Sequence, residues 1–197
     1  MKRIITFTLL VLGIAGANAQ SNFMISYPIA FPTGDLHTYT SNTSFRGISM
    51  EFNKATSPMT TAGLEVGWNV FYQHVDKKAY TDGTITITGV QYRYTNSVPI
   101  IVGAKHYLGE KKKSGGQPYV GLGLGTVYSD RSTDFGLYRI STDAWQFCIR
   151  PELGWEFPIG HAESLFIGGK YFWSFNTSAL DGQSFITLNI GLKASSF

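Results

Sequence analysis

Between Trp145 and Phe157 apolar and polar residues alternate almost without interruption. Trp145, Phe147, Ile149, Pro151, Leu153, Trp155 and Phe157 fall on one face of a strand, and Ala144, Gln146, Cys148, Arg150, Glu152, Gly154 and Glu156 on the other. Successive strand side chains point to opposite faces, so the segment requires an apolar medium on one side and a polar one on the other. The same pattern returns along the chain, with Gly, Asn, Glu and Lys repeatedly on the second face. A water-soluble sandwich would bury the apolar face as its core. The repetition predicts instead an all-β, eight-stranded, antiparallel up-and-down barrel in lipid, apolar outside and polar within.

Period-two reading predicts strands over residues 22–31, 45–53, 62–72, 98–108, 119–128, 145–157, 165–175 and 185–193. Pro28 and Pro32 make the first irregular. Residues 84–88 and 90–94 still alternate inside the polar stretch after strand three, which predicts a ribbon protruding beyond the bilayer. Residues 130–142 read as a loop. Strands 2–3, 4–5 and 6–7 are joined by short pieces, including the Lys111-Lys112-Lys113 turn, and the remaining pairs mostly by longer polar ones. In such barrels short turns face the periplasm and long loops face outward, which puts both termini on the periplasmic side.

The N-terminus reads as a targeting segment. Lys2 and Arg3 precede the apolar run 4–14, and Ala17-Asn18-Ala19 is a small-x-small cleavage site. Residues 1–19 are therefore expected to be a signal peptide removed on export, leaving residues 20–197 as one barrel domain. The formal charge of +3 includes Lys2 and Arg3, so the remainder is nearly neutral and no nucleic-acid partner is implied. Downstream, no apolar run approaches the roughly 20 residues of a spanning helix, which leaves a barrel as the spanning architecture. The 22 glycines and 15% aromatic content suit a narrow barrel with interfacial aromatics.

The stretches SYPIAFPTGD (26–35), GWNVFY (67–72), QYRYTNSVPII (91–101), PYVGLGLGT (118–126) and WQFCIRPELG (145–154) resemble small eight-stranded outer-membrane barrels. These form the group that includes OmpX and the OmpA membrane domain, and the resemblance is nearest to uncharacterised outer-membrane barrels of Bacteroidetes. It implies a Gram-negative outer-membrane location, contact with outer-membrane lipid and lipopolysaccharide, and delivery by the outer-membrane assembly machinery. Such barrels usually end on an aromatic in phase with the outward face. Phe197 is terminal but out of phase with Leu188, Ile190 and Leu192.

Phase assigns Glu51, Glu65, Glu152 and Glu156 to the interior with Lys105, Arg150, Lys170 and Lys193, a balanced set. The bland reading is a sealed ion network and the functional one a narrow porin-like pore; the network is favoured, because eight strands leave room for little more than side chains. Outer-loop residues Tyr39, Tyr80, Tyr92, Arg93, Tyr94, Arg131, Phe135 and Tyr138 are candidates for binding an extracellular protein or cell-surface partner. The alternative for them is an interfacial girdle. No enzyme is expected: His37 and His74 lie near Asp35, Thr38, Ser41 and Asp76, yet nothing brings them into a triad of the lipid A-modifying kind. No cofactor or metal is expected, since no His or Cys pair has ligand spacing and Cys148 reads as a packing residue. Gly121-x-Gly123-x-Gly125 lacks the strand–loop–helix context of a phosphate loop. A soluble lipocalin-like carrier would need its apolar face inside.

Overall fold

The computed structural model describes residues 21–82, 84–109 and 115–195. The segment read as a signal peptide, the Lys111-Lys112-Lys113 turn, Phe197 and the side chain of Tyr80 lie outside the described residues. The elements are β1 (Ser21–Pro32), α1 (Gly34–Tyr39), β2 (Gly47–Ser57), β3 (Thr60–Asp82), β4 (Ile85–Tyr107), β5 (Gln117–Phe135), β6 (Tyr138–Pro158), β7 (Glu163–Ser174) and β8 (Phe185–Ser195). Each strand pairs antiparallel with the next, and β1 closes on β8 from Asn22↔Ser195 to Pro32↔Phe185. Closure leaves no lipid-exposed row of unpaired backbone groups, the condition for a sheet to sit in hydrocarbon.

The strand phase turns the barrel inside out relative to a soluble one. On β6, Arg150, Glu152 and Glu156 are buried while Phe147, Leu153 and Trp155 are exposed. Val102 and Leu122 are 62% and 56% exposed. Outside these strands such apolar surface would be a liability, and in lipid it is the solvated face. Trp145 and Trp155, both outward, stand about 33 Å apart along the strand at roughly 3.3 Å per residue. At a tilt near 40° that is about 25 Å of height, the span of an outer-membrane apolar band.

Strand length divides the barrel into two halves. β1, β2, β7 and β8 have 11 or 12 residues, whereas β3 and β4 have 23, β5 has 19 and β6 has 21. The longer four therefore rise past the rest as one sheet, paired up to Asp82↔Ile85 and Phe135↔Tyr138. The protruding ribbon expected between strands three and four is present, with a bulge between Val75 and Lys78. The loop expected at residues 130–142 is not there. β5 and β6 continue through it and turn at Gly136-Leu137, where Gly136 has φ 62 and Leu137 a negative φ, the type II′ pattern. Ser129 to Asp134 are polar throughout: no lipid face demands apolar side chains there, and the buried positions Ser129 and Thr133 are themselves polar, so the alternation that marks a strand disappears.

Two further departures sit at the same end. Helix α1 is too short for its period to be read from sequence. The irregularity expected at Pro28 affects one side only: β1 stops pairing with β2 at Ser26↔Ser49 but continues with β8 to Pro32. Proline lacks the donor that the β2 ladder would need next. We call this the loop end, and the end holding Ser21, Ser195 and the short turns the turn end.

Glycine sets how closely the wall strands approach. A Cβ at Gly125 would lie 2.1 Å from the Ile100 carbonyl oxygen, and one at Gly121 2.4 Å from Glu152 Oε1. Gly125→Val is expected to force β4 and β5 apart and reduce the fraction of protein that runs as a compact band in unboiled SDS electrophoresis; an unchanged band pattern would contradict this packing. Overpacking of this kind costs about 1–3 kcal/mol or more.

Candidate functional site

The interior is filled in layers. Six of the inward charges meet in one cluster near mid-barrel. Lys105 Nζ lies 2.5 Å from Glu51 and 3.9 Å from Glu152, Lys170 lies 2.8 Å from Glu65 and also bonds Glu51, and Arg150 bonds Glu65 and, at 3.1 Å, Glu152. Three carboxylates face three cations, and each of the six side chains is at most 3% exposed. Ser49 donates to Glu65 at 2.7 Å and Asn53 to Glu51 at 3.3 Å, occupying remaining acceptor sites. Lys105 Nζ also lies 5.1 Å from the Tyr119 ring centroid. The space among Glu51, Glu65, Lys105 and Arg150 has a cavity volume of ≈ 0 Å³, too little for a water.

The other two inward charges form a separate pair nearer the turn end. Lys193 lies 2.7 Å from Glu156, and the Tyr107 hydroxyl donates to Glu156 at 2.5 Å while accepting from Lys193 at 3.1 Å. These groups floor a vestibule of ≈ 300 Å³ that opens at the turn end.

Towards the loop end the lumen contains an apolar layer, beyond the charged interior expected from sequence. Ala30, Leu36, Phe71, Ile101, Val127, Cys148, Phe172 and Phe185 form one buried cluster. Phe172 stacks on Phe185 at 4.7 Å and Phe71 meets Phe185 edge-on at 5.4 Å. The signal was present in the phase: Phe71, Ile101 and Phe172 occupy inward positions of strands already read, but in each the outward aromatics or aliphatics dominated the pattern.

Two segments close the loop-end mouth above this layer. Residues 175–184 fold inward, where Gln146 Nε2 donates to the carbonyls of Leu180 and Asp181 at 3.3 and 2.7 Å. Helix α1 crosses the mouth and is fixed by Tyr39. Its hydroxyl donates to the Ser132 carbonyl at 2.8 Å, and the Arg93 and Arg131 guanidiniums lie 5.2 and 4.6 Å from its ring centroid. Arg93 also donates to the Tyr39 carbonyl at 3.1 Å. Such cation–π contacts contribute about 0.5–2 kcal/mol each.

This corrects part of the outer-loop expectation. Tyr39 is 9% and Phe135 6% exposed, and Arg93 and Arg131 turn inward to hold Tyr39. Tyr39 and Phe135 are thus buried in the closed mouth, and Arg93 and Arg131 are half-buried against Tyr39. The reason is phase: β4 and β5 keep their inward positions when they leave the bilayer, so 93, 131 and 135 still face the barrel axis. Tyr92, Tyr94 and Tyr138 do lie on exposed or half-exposed positions of the projecting sheet. Tyr94 packs on Tyr72 at 5.0 Å and Tyr92 on His74 at 5.1 Å. Near the tip Arg139 forks onto Asp134 at 2.6 and 2.7 Å, and this bond holds the Asp134 carboxyl below the usual carboxylate range.

The histidines do not converge. His74 lies 3.9 Å from Asp76 on the projecting sheet, and His106 bonds Thr60 at 3.1 Å near the turn end. Among the described residues no group of three or more His, Cys, Asp or Glu could hold a metal. Cys148 is a free, buried thiol in the apolar layer.

No protein-family model matches the chain, and no curated protein matches it. Solved structures do. Neisserial surface protein A aligns with a TM-score of 0.53 at 12% identity, over 90% of this chain and 97% of that one. Ail, the attachment invasion locus protein of Yersinia pestis, crystallised with the heparin analogue sucrose octasulfate, gives 0.54 at 9% identity, over 91% and 100%. OprG from Pseudomonas aeruginosa gives 0.50 at 14%, over 90% and 96%. At these identities the likeness carries the fold, an eight-stranded outer-membrane β-barrel, and not a closer kinship within it.

Removing one partner of a buried ion network leaves uncompensated charge and costs about 3–5 kcal/mol. Arg150→Ala is therefore expected to lower the urea midpoint of unfolding in lipid by that equivalent, while planar-bilayer recordings remain without a large conductance. A robust open-pore current from the unsubstituted protein would refute the sealed lumen. Tyr39→Ala is expected to make residues 33–46 sensitive to protease at the loop end while leaving the heat-modifiable barrel band unchanged.

Proposed function

We propose that the protein is an outer-membrane surface-interaction barrel. In this reading residues 1–19 are removed on export, the turn end with both termini faces the periplasm, and the loop end faces outward. The observation that carries it is the one-sided projection of β3–β6, four paired strands that continue past a mouth already closed by α1 and residues 175–184. A wall that only anchored the protein would need no such extension. The filled interior argues against the porin-like alternative, and the scattered histidines give a lipid A-modifying or other enzymatic role no assembled site.

The projecting sheet has two edges at which a partner could add a strand. On β3 the edge is interrupted by the bulge between Val75 and Lys78. On β6 the ladder with β7 begins only at Cys148↔Ser174, below a last bond from the Phe175 amide to the Phe147 carbonyl. Residues 138–144 of β6 thus present an uninterrupted edge. The sheet carries both signs of charge, with Arg139 beside Asp134 and Lys77 beside Asp76. That suits a protein segment held by backbone pairing better than a uniform polyanion. A sulfated glycan remains the natural second probe, because Ail was crystallised with such an analogue.

The Phe147 carbonyl faces the β7 side, so odd-numbered β6 residues, Ser141 included, turn their backbone groups away from β5. Ser141→Pro then removes a donor from the free edge alone. Cells displaying the protein should bind protein-coated surfaces, and both Ser141→Pro and replacement of residues 77–90 by Asn-Gly should abolish that binding while the unboiled barrel band persists. Binding that survives both changes would remove the projecting sheet as the interaction surface, and binding only to heparin-coated surfaces would replace strand addition by anion recognition.

A further inference from the structure

We propose that Arg46 seats the phosphate of a membrane lipid on the outer wall of the barrel at its loop end. The argument starts from phase. The outward positions of β2 run Phe52, Met50, Ile48, all exposed to lipid, and the next outward position along the chain is Arg46. The cation stands where the outward row turns polar, as at Asn96 and Asp130 across the sheet, with Phe45 beside it, the level at which lipid headgroups begin.

Its surroundings are built rather than incidental. Ser44 Oγ donates to the Val70 carbonyl at 2.5 Å, the Val70 amide donates to the Arg46 carbonyl at 2.9 Å, and Asn42 Nδ2 reaches the Tyr72 carbonyl at 3.3 Å. These bonds lace the segment before β2 against β3 and leave a recess of ≈ 230 Å³ bounded by Asn42, Thr43, Phe45, Arg46, Val70 and Tyr72. The Arg46 guanidinium lies 5.7 Å from the Tyr72 ring centroid, which orients it. Tyr72 in turn packs on Tyr94.

The charge is unspent. Among the described residues the Arg46 side chain forms no ion pair and donates no hydrogen bond, whereas Arg139, another exposed arginine of the loop end, is already forked onto Asp134. A guanidinium fork matches two phosphate oxygens in geometry and sign. Beneath it the paired Ile48 and Trp68 are 37% and 50% exposed and offer apolar surface to acyl chains. Phosphate above and hydrocarbon below is the arrangement of a phospholipid or of a phosphorylated glycolipid. A free anion would use only the upper half of the site.

The test uses the full barrel in phosphatidylcholine vesicles with and without a minor fraction of phosphatidic acid, released into mild detergent and weighed by native mass spectrometry. The unsubstituted protein should retain one phosphatidic acid with about tenfold preference over phosphatidylcholine, the worth of one charge-assisted hydrogen bond. Arg46→Gln should lose that preference with an unchanged heat-modifiable band, and Arg139→Gln should keep it. Equal retention by Arg46→Gln, or equal loss in Arg139→Gln, would overturn the assignment. Displacement of the lipid by inorganic phosphate would also overturn it, in favour of a free-anion site. None of these readouts depends on the projecting sheet binding a partner.

Discussion

Every backbone amide and carbonyl inside a bilayer must find its partner within the protein, and the rest of this structure follows from that requirement. It excludes an open sheet, so β1 closes on β8. Closure with eight strands fixes a narrow bore, and the narrow bore must be filled by side chains. Whatever faces inward on each strand is thereby forced into contact with what faces inward on strands far away in sequence.

The fill is graded along the axis. Charge balance among Glu51, Glu65, Glu152, Lys105, Arg150 and Lys170 makes a polar layer that is tolerable because every member has an opposite partner. Inward glycines make the room for it, since Gly121 lies against Glu152 and Gly123 against Arg150. Above, stacked phenylalanines pack the bore among buried polar side chains such as Ser129 and Gln146. The two layers fill the lumen by different means, ion pairing below and packing above.

Because the bore is filled by side chains, the features that vary between one half of the wall and the other gain importance. β3–β6 continue outward while β1, β2, β7 and β8 stop, and α1 and residues 175–184 bridge the mouth between them. Tyr39, held between Arg93 and Arg131, couples the mouth to the root of the projecting sheet. The sheet is thus braced at its base on its inner face, while its outer face keeps Tyr92 and Tyr94, Tyr138 stands exposed at its tip opposite Phe135, and its β6 edge stays unpaired.

The sequence by itself determined which residues face lipid and which face the lumen. Side-chain direction in a strand has a period of two, and the bilayer makes the two media so different that the phase is written in the residue types, as from Trp145 to Phe157. It therefore carried the strand number, the ribbon after strand three and the membership of the inward charge set. Tertiary structure alone decided the rest. Lys170 meets Glu51 across 119 positions of sequence, a pairing set by barrel closure and register that no local pattern records. The extension of β5 and β6 through residues 130–142 was hidden because no lipid face enforces the alternation there and the buried inner positions, such as Thr133, are themselves polar. The inward turn of Tyr39, Arg93, Arg131 and Phe135 was hidden for a related reason: a loop helix and two strands beyond the membrane meet only after the barrel has brought their roots together.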